Sequence, residues 1–196
     1  DIRFISHHDL MRVYERALRR ADLPIAMSEG HNPRPRLSLP AALSVGCAGL
    51  NEVADFGLSS IMRPAEFRSR LQAELPEGIR ILSAEVTSPH PSRQPTELSY
   101  RVPLLPEHEL TRDSLDELMA RDEVVAERQR KDTVRQVEIR RYLKALRLED
   151  DALHILLRWD QTGTARPEEV LEALGCRAGE DYRESAIERT HVRLSS

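Results

Sequence analysis

Two stretches that each run strand, helix, strand, strand, helix, strand predict an α+β chain. That order is the one used by two tandem ferredoxin-like (βαββαβ) subdomains with antiparallel sheets. A proline-rich stretch, PHPSRQPTE at 89–97, lies between them. It places the first subdomain at 1–88, a linker at 89–97 and the second subdomain at 98–196. A further observation is internal similarity. Arg63-Pro64-Ala65-Glu66-Phe67 matches Arg166-Pro167-Glu168-Glu169-Val170 at an offset of 103, and Ser83-Ala84 matches Ser185-Ala186 at 102. Two matches at nearly one spacing, inside one element order, argue for duplication.

In the first half, Ile2 to Ile5 reads as the end of a strand. Ser6 then opens S-x-x-D with Asp9, a capping-box pattern that starts a helix running to about Ala21. Leu10, Val13, Tyr14, Ala17, Leu18 and Ala21 recur at helical spacing and form one apolar face, while Arg12, Arg16 and Arg20 form a basic ridge four residues apart. Asp22 and Pro24 stop the helix. Ile25 to Met27 is extended. The loop that follows holds Gly30, Asn32, Pro33 and Pro35, so it is neither regular helix nor central strand. Leu37 to Val45 reads as a strand made awkward by Pro40, Gly46 to Asn51 as a turn, and Glu52 to Leu58 as another strand. Pro64 sits at the first position of a second helix whose inner face is Phe67, Leu71 and Leu75. Ile79 to Thr87 completes the set as a strand.

The second half repeats the order. Leu98 to Leu105 reads as a strand, Ser114 to Arg121 as a helix, and Glu123 to Arg130 as a strand. An insertion near 131–145 has no counterpart in the first half. Ile139 to Leu148 and Ala152 to Trp159 form a hairpin about Glu149-Asp150-Asp151. Arg166-Pro167 opens a helix with Val170, Leu171 and Leu174 inside, and Tyr182 to Leu194 is the last strand.

Composition narrows the function classes. Hydrophobic residues make 40% of the 196 and charged residues 32%, as in ordinary globular proteins. No apolar run approaches the roughly 20 residues that span a bilayer, so no membrane is expected. The two cysteines, Cys47 and Cys176, lack metal-ligand spacing and read as reduced thiols of a cytoplasmic protein. The net charge is −4, but residues 1–40 hold seven arginines against five acids, a local balance of +2 on an acidic remainder. A local anionic ligand fits that distribution. With eight aromatics in the chain, an RNA-recognition module that stacks bases on strand aromatics is disfavoured. There is no P-loop, no G-x-G-x-x-G and no C-x-x-x-C-x-x-C, so no cofactor is expected.

Chemistry-bearing residues concentrate near the N-terminus. His7 and His8 sit where the first helix begins, a position that favours anions and suits a general acid or base. His7 with Asp9 is the candidate catalytic pair. His31 would complete a metal trio with them, but the three lack the spacing of a metal site, and none is expected. Arg12, Arg16, Arg34 and Arg36 offer fork donors for phosphate groups.

The stretch RFISHHDLMRVYERALRRADLPIAMSEGHNPRPRLSLPAALSVG, residues 3–46, resembles the opening of the radical SAM-linked hypothetical proteins, a bacterial domain of unknown function (2344). Arg3, Phe4, Ser6, His7, Asp9, Leu10, Met11 and Arg12 fit the first piece of the pattern, and Glu15 to Ala21 the second. Ser28, Gly30, Asn32, Pro33, Arg34, Pro35, Leu37 and Ser38 fit the third. Asp22 replaces a common glycine, His8 a leucine and His31 a phenylalanine, which argues against essential roles for His8 and His31. The resemblance implies an accessory role beside a radical SAM protein, in RNA metabolism or modification. The expected function is therefore a non-catalytic module that binds RNA or a phosphate ligand through Arg12, Arg16, Ser28, Gly30, Asn32, Arg34 and Arg36, partnered by a radical SAM enzyme. Two alternatives stand beside it: a metal-independent endoribonuclease using His7, and a protein–protein adaptor.

Overall fold

Ser6 closes the N-terminus of the first helix as its sequence suggests: its hydroxyl accepts the Asp9 N–H at 3.1 Å. This is seen in a computed structural model that describes residues 2–87, 93–105, 109–130, 133–176 and 187–195. The helices are α1 (His7–Arg20), α2 (Pro64–Glu74), α3 (Arg112–Ala120) and α4 (Pro167–Ala173). The strands are β1 (Leu37–Ser38), β2 (Ala48–Gly49), β3 (Asp55–Phe56), β4 (Pro95–Pro103) and β5 (Val125–Arg130). They continue as β6 (Thr133–Glu138), β7 (Leu143–Glu149), β8 (Ala152–Arg158) and β9 (Glu188–Leu194). The chain is thus mixed α+β. It divides into unit 1, Asp1–Val45 with Val53–Gln94, and unit 2, Gly46–Glu52 with Pro95–Ser196.

Unit 1 packs α1 and α2 on short extended segments. Ala17, Leu18, Ala21, Leu23 and Leu71 form its buried core, flanked by Ile25, Leu37, Phe56 and Phe67. The Phe56 ring meets Tyr14 edge-on at 5.8 Å and Phe67 at 5.3 Å, so one aromatic of β3 joins both helices. Arg70 of α2 donates to the Ala21 carbonyl from Nε at 3.1 Å and Nη2 at 2.7 Å, which satisfies the end of α1. Pro64 occupies the first turn of α2 and Pro167 that of α4, as expected.

Four expected strands of this half differ, and of 52–58 only Asp55–Phe56 forms one. Ile2–Phe4 is a 3₁₀ turn, its Ile2 carbonyl taking the Ile5 N–H at 3.3 Å. Of 37–45 only Leu37–Ser38 pairs, antiparallel to β3, and Pro40 follows without an N–H to extend the ladder. Ile79 to Thr87 forms no strand. The Gln72 side chain serves it instead, donating to the Ile79 carbonyl at 3.0 Å and accepting the Ile81 N–H at 2.7 Å. One amide side chain thus takes two of the backbone groups that a strand partner would have paired.

Unit 2 holds a five-stranded sheet in the order β2-β9-β4-β8-β7. β4 is antiparallel to both β8 and β9, and β7 is antiparallel to β8. Counting β4, β7, β8 and β9 as first to fourth, their spatial order is fourth-first-third-second, with α3 and α4 between first and second and between third and fourth. Asp150 and Asp151 both take positive φ, 50° and 54°, the conformation a tight two-residue hairpin turn needs. Pro95, Thr96 and Glu97, expected in the linker, begin β4; proline is tolerated at a strand's first residue. The linker at 89–92 lies outside the described residues, as does Ser185-Ala186.

β5 pairs only with β6, as a hairpin outside the main sheet. Arg128 anchors it, its Nε and Nη2 donating to the two Glu169 oxygens at 2.6 and 2.8 Å. Glu169 is buried at the start of α4 and also accepts the Arg166 N–H at 2.8 Å. The expected turn at 46–51 contributes β2, parallel to β9. Arg189, 1% exposed, holds this segment by donating to both carboxylate oxygens of Glu52.

Candidate functional site

The loop after α1 is closed by its own backbone. Ser28 N–H donates to the Arg34 carbonyl at 2.7 Å, and the Ser28 hydroxyl accepts the Arg34 N–H at 3.0 Å. Below that pair, three segments share a ring of hydrogen bonds, each 2.8 Å. Arg36 N–H donates to Ala26, Ala26 N–H to Gly57, and Gly57 N–H to Arg36. A side chain at Gly57 would put its Cβ 2.9 Å from the Arg36 Cβ, so this approach requires glycine. Gly30 at the tip has φ +133°, a conformation that other residues rarely adopt. The result is a loop with a fixed base and an exposed tip that carries His31, Asn32 and Arg34.

The arginines differ in their freedom. Arg34 and Arg16 are exposed and make no ion pair among the described residues. Arg36 meets Glu29 at 3.8 Å, both side chains largely in water, a pair of little energetic weight. Arg12 is paired with Asp9 at 3.3 Å. Arg20 leaves the ridge to bind Glu74 of α2 at 2.9 Å. No hydrogen bond or ion pair joins the α1 arginines to the loop among the described residues. The two are linked through packing, since Tyr14 of α1 touches Phe56, the ladder partner of Leu37 next to Arg36.

His7 and Asp9 share no hydrogen bond or ion pair among the described residues. Asp9 receives the Ser6 hydroxyl at 2.7 Å on one oxygen and Arg12 on the other. Those hydrogen bonds, Ser6 first, hold its carboxyl below the usual range, which suits a cap rather than a base. His7 lines a small pocket with Ile2, Arg3, Ile5, Leu10, Leu43 and Ser44, and among the described residues no acidic side chain lines it. The His7 and His8 rings stand edge to face with centroids 6.3 Å apart. Among the described residues no group of three His, Cys, Asp or Glu side chains is placed to hold one metal ion.

Sequence reasoning missed Ala26 and Gly57, which complete the loop's base. The available signal was a single glycine inside an alternating strand pattern, which marks a close backbone approach. A family model described as an uncharacterized protein conserved in bacteria (DUF2344) matches residues 1–167. No curated protein matches the chain, and no solved structure does.

Proposed function

The chain belongs to the DUF2344 family, and from that premise we propose an accessory, non-catalytic module that binds RNA or another phosphate-bearing ligand. In this reading it acts in the cytoplasm for a radical SAM enzyme, the partner implied by the resemblance over residues 3–46. One observation carries the binding role: a loop fixed at its base presents Asn32 and an Arg34 that no acid neutralises among the described residues. A preorganised arginine fork loses little entropy on meeting a phosphate, which is what a binding loop needs. Arg16 and Arg36 add positive charge. The occupied Asp9 carboxylate favours binding over cleavage.

Unit 2 is read here as a ferredoxin-like subdomain with the β5–β6 hairpin inserted, a reading that its strand order supports. Pro64 and Pro167 at equivalent helix starts support a tandem origin.

The test is binding of a fluorescein-labelled single-stranded RNA to the whole chain and to the Arg34→Ala/Arg36→Ala variant. The variant should lose at least tenfold in affinity while its unfolding midpoint stays within about 1 °C, because exposed arginines of this kind contribute little stability. Equal binding by both proteins would remove the loop from the account. Metal-free cleavage of the RNA, abolished in His7→Ala, would favour the endoribonuclease alternative.

A further inference from the structure

We propose that the sheet of unit 2 carries a phosphate-binding subsite of its own, formed by Arg147, His154 and Arg101. The ladder aligns them on three adjacent strands: Arg147 of β7 is opposite His154 of β8, and His154 is opposite Arg101 of β4. Alternation puts them on one face. Leu153 and Ile155 flank His154 and are buried, as are Tyr100 and Val102 beside Arg101. The three basic residues therefore belong to the opposite face of the sheet. Directly opposed residues have Cβ atoms roughly 5 Å apart, so the row spans about 10 Å.

Basic groups set side by side repel and need a reason to be there. Three cations of this face have one within the chain, whereas Arg158, opposite Glu97, makes no ion pair among the described residues. Glu97 receives both Lys144 and Arg193, the latter at 3.2 Å. Arg101 meets Glu188 at 3.3 Å. Arg147 makes no ion pair among the described residues. His154 Nε2 is buried and has no hydrogen-bond partner among them. A buried ring nitrogen left without a partner is unusual, since buried polar atoms are almost always paired. A tetrahedral phosphate supplies what the row lacks. Its several oxygens accept from the Arg147 fork, from the Arg101 donors that Glu188 leaves free, and from the ring nitrogen when that carries the proton. A carboxylate has two oxygens for the same three donors.

The site is independent of the 28–36 loop, so the two stand or fall separately. The test follows the His154 ring resonances by NMR in the full chain, at constant pH and ionic strength, with two probes. One is inorganic phosphate, and the other an oligouridylate without terminal phosphates. Saturable shifts are expected, with an affinity at least tenfold weaker in Arg147→Gln and unchanged in Arg34→Ala/Arg36→Ala. A response to phosphate alone assigns the site to terminal phosphate groups. A response to the oligonucleotide assigns it to backbone phosphodiesters. If neither probe shifts His154 saturably, or if Arg147→Gln leaves the affinity unchanged, the subsite does not exist.

Discussion

Glu52→Gln removes the charge that faces Arg189 and keeps the side-chain shape. Arg189 is 1% exposed and donates to both Glu52 oxygens, while the Glu52 side chain is 30% exposed. Burial works against the guanidinium's charge, and the Glu52 hydrogen bonds and charge more than offset that, so its proton affinity is raised overall. Breaking a buried pair from one side costs about 3–5 kcal/mol; the partial exposure of Glu52 puts this case near the lower end, about 3 kcal/mol. For a unit of this size that lowers the unfolding midpoint by roughly 12 °C or more. The assay is thermal unfolding followed by circular dichroism, reading the transition of unit 2. Glu52→Gln/Arg189→Met should lose less than Glu52→Gln alone, because no unpaired buried charge remains. A loss below about 1 kcal/mol for the single variant, or a double variant worse than it, would refute the argument.

Gly57→Ala should destabilise unit 1 by about 1–3 kcal/mol in urea unfolding, because its Cβ would meet the Arg36 Cβ at 2.9 Å. Glu168 has a buried oxygen without a partner among the described residues, and burial raises its carboxyl above the usual 4.5. Its contribution to stability is therefore complete below the unfolded value and is lost as pH rises through the folded one. The stability of Glu168→Gln relative to the natural protein should accordingly rise with pH above about 4.5. A pH series of urea midpoints checks this. The Cys47 thiol is pushed up to about 12, burial outweighing the opposing pull of Arg189. At pH 8 a disulfide reagent should leave it intact in the folded chain and modify it in denaturant.

The elements fixed by local chemistry were legible in the sequence. Ser6 with Asp9 sets the start of α1, Pro64 and Pro167 open α2 and α4, and the aspartates at 150 and 151 turn the β7–β8 hairpin. What escaped the reading depends on distant partners. Residues 79–87 alternate like a strand, yet they form none, and the Gln72 side chain takes the Ile79 carbonyl and the Ile81 N–H. Residues 46–51 look like a turn, yet Ala48 and Gly49 join β9, and Glu52 just after them meets Arg189, about 140 positions away. In the candidate site the arginines were visible, but not which of them were already paired. Spacing placed Arg12 and Arg20 on one ridge with Arg16, whereas Asp9 and Glu74 take the outer two.

The salt dependence of RNA binding tests the central claim most directly. Fluorescence anisotropy titrations from 50 to 200 mM salt, on the natural chain and on Arg34→Ala, give the number of phosphates each neutralises. The account predicts a steep linear fall in log affinity with log salt, and a slope smaller by about one unit in Arg34→Ala. A flat salt response, or the same slope in both proteins, would contradict phosphate recognition by this loop.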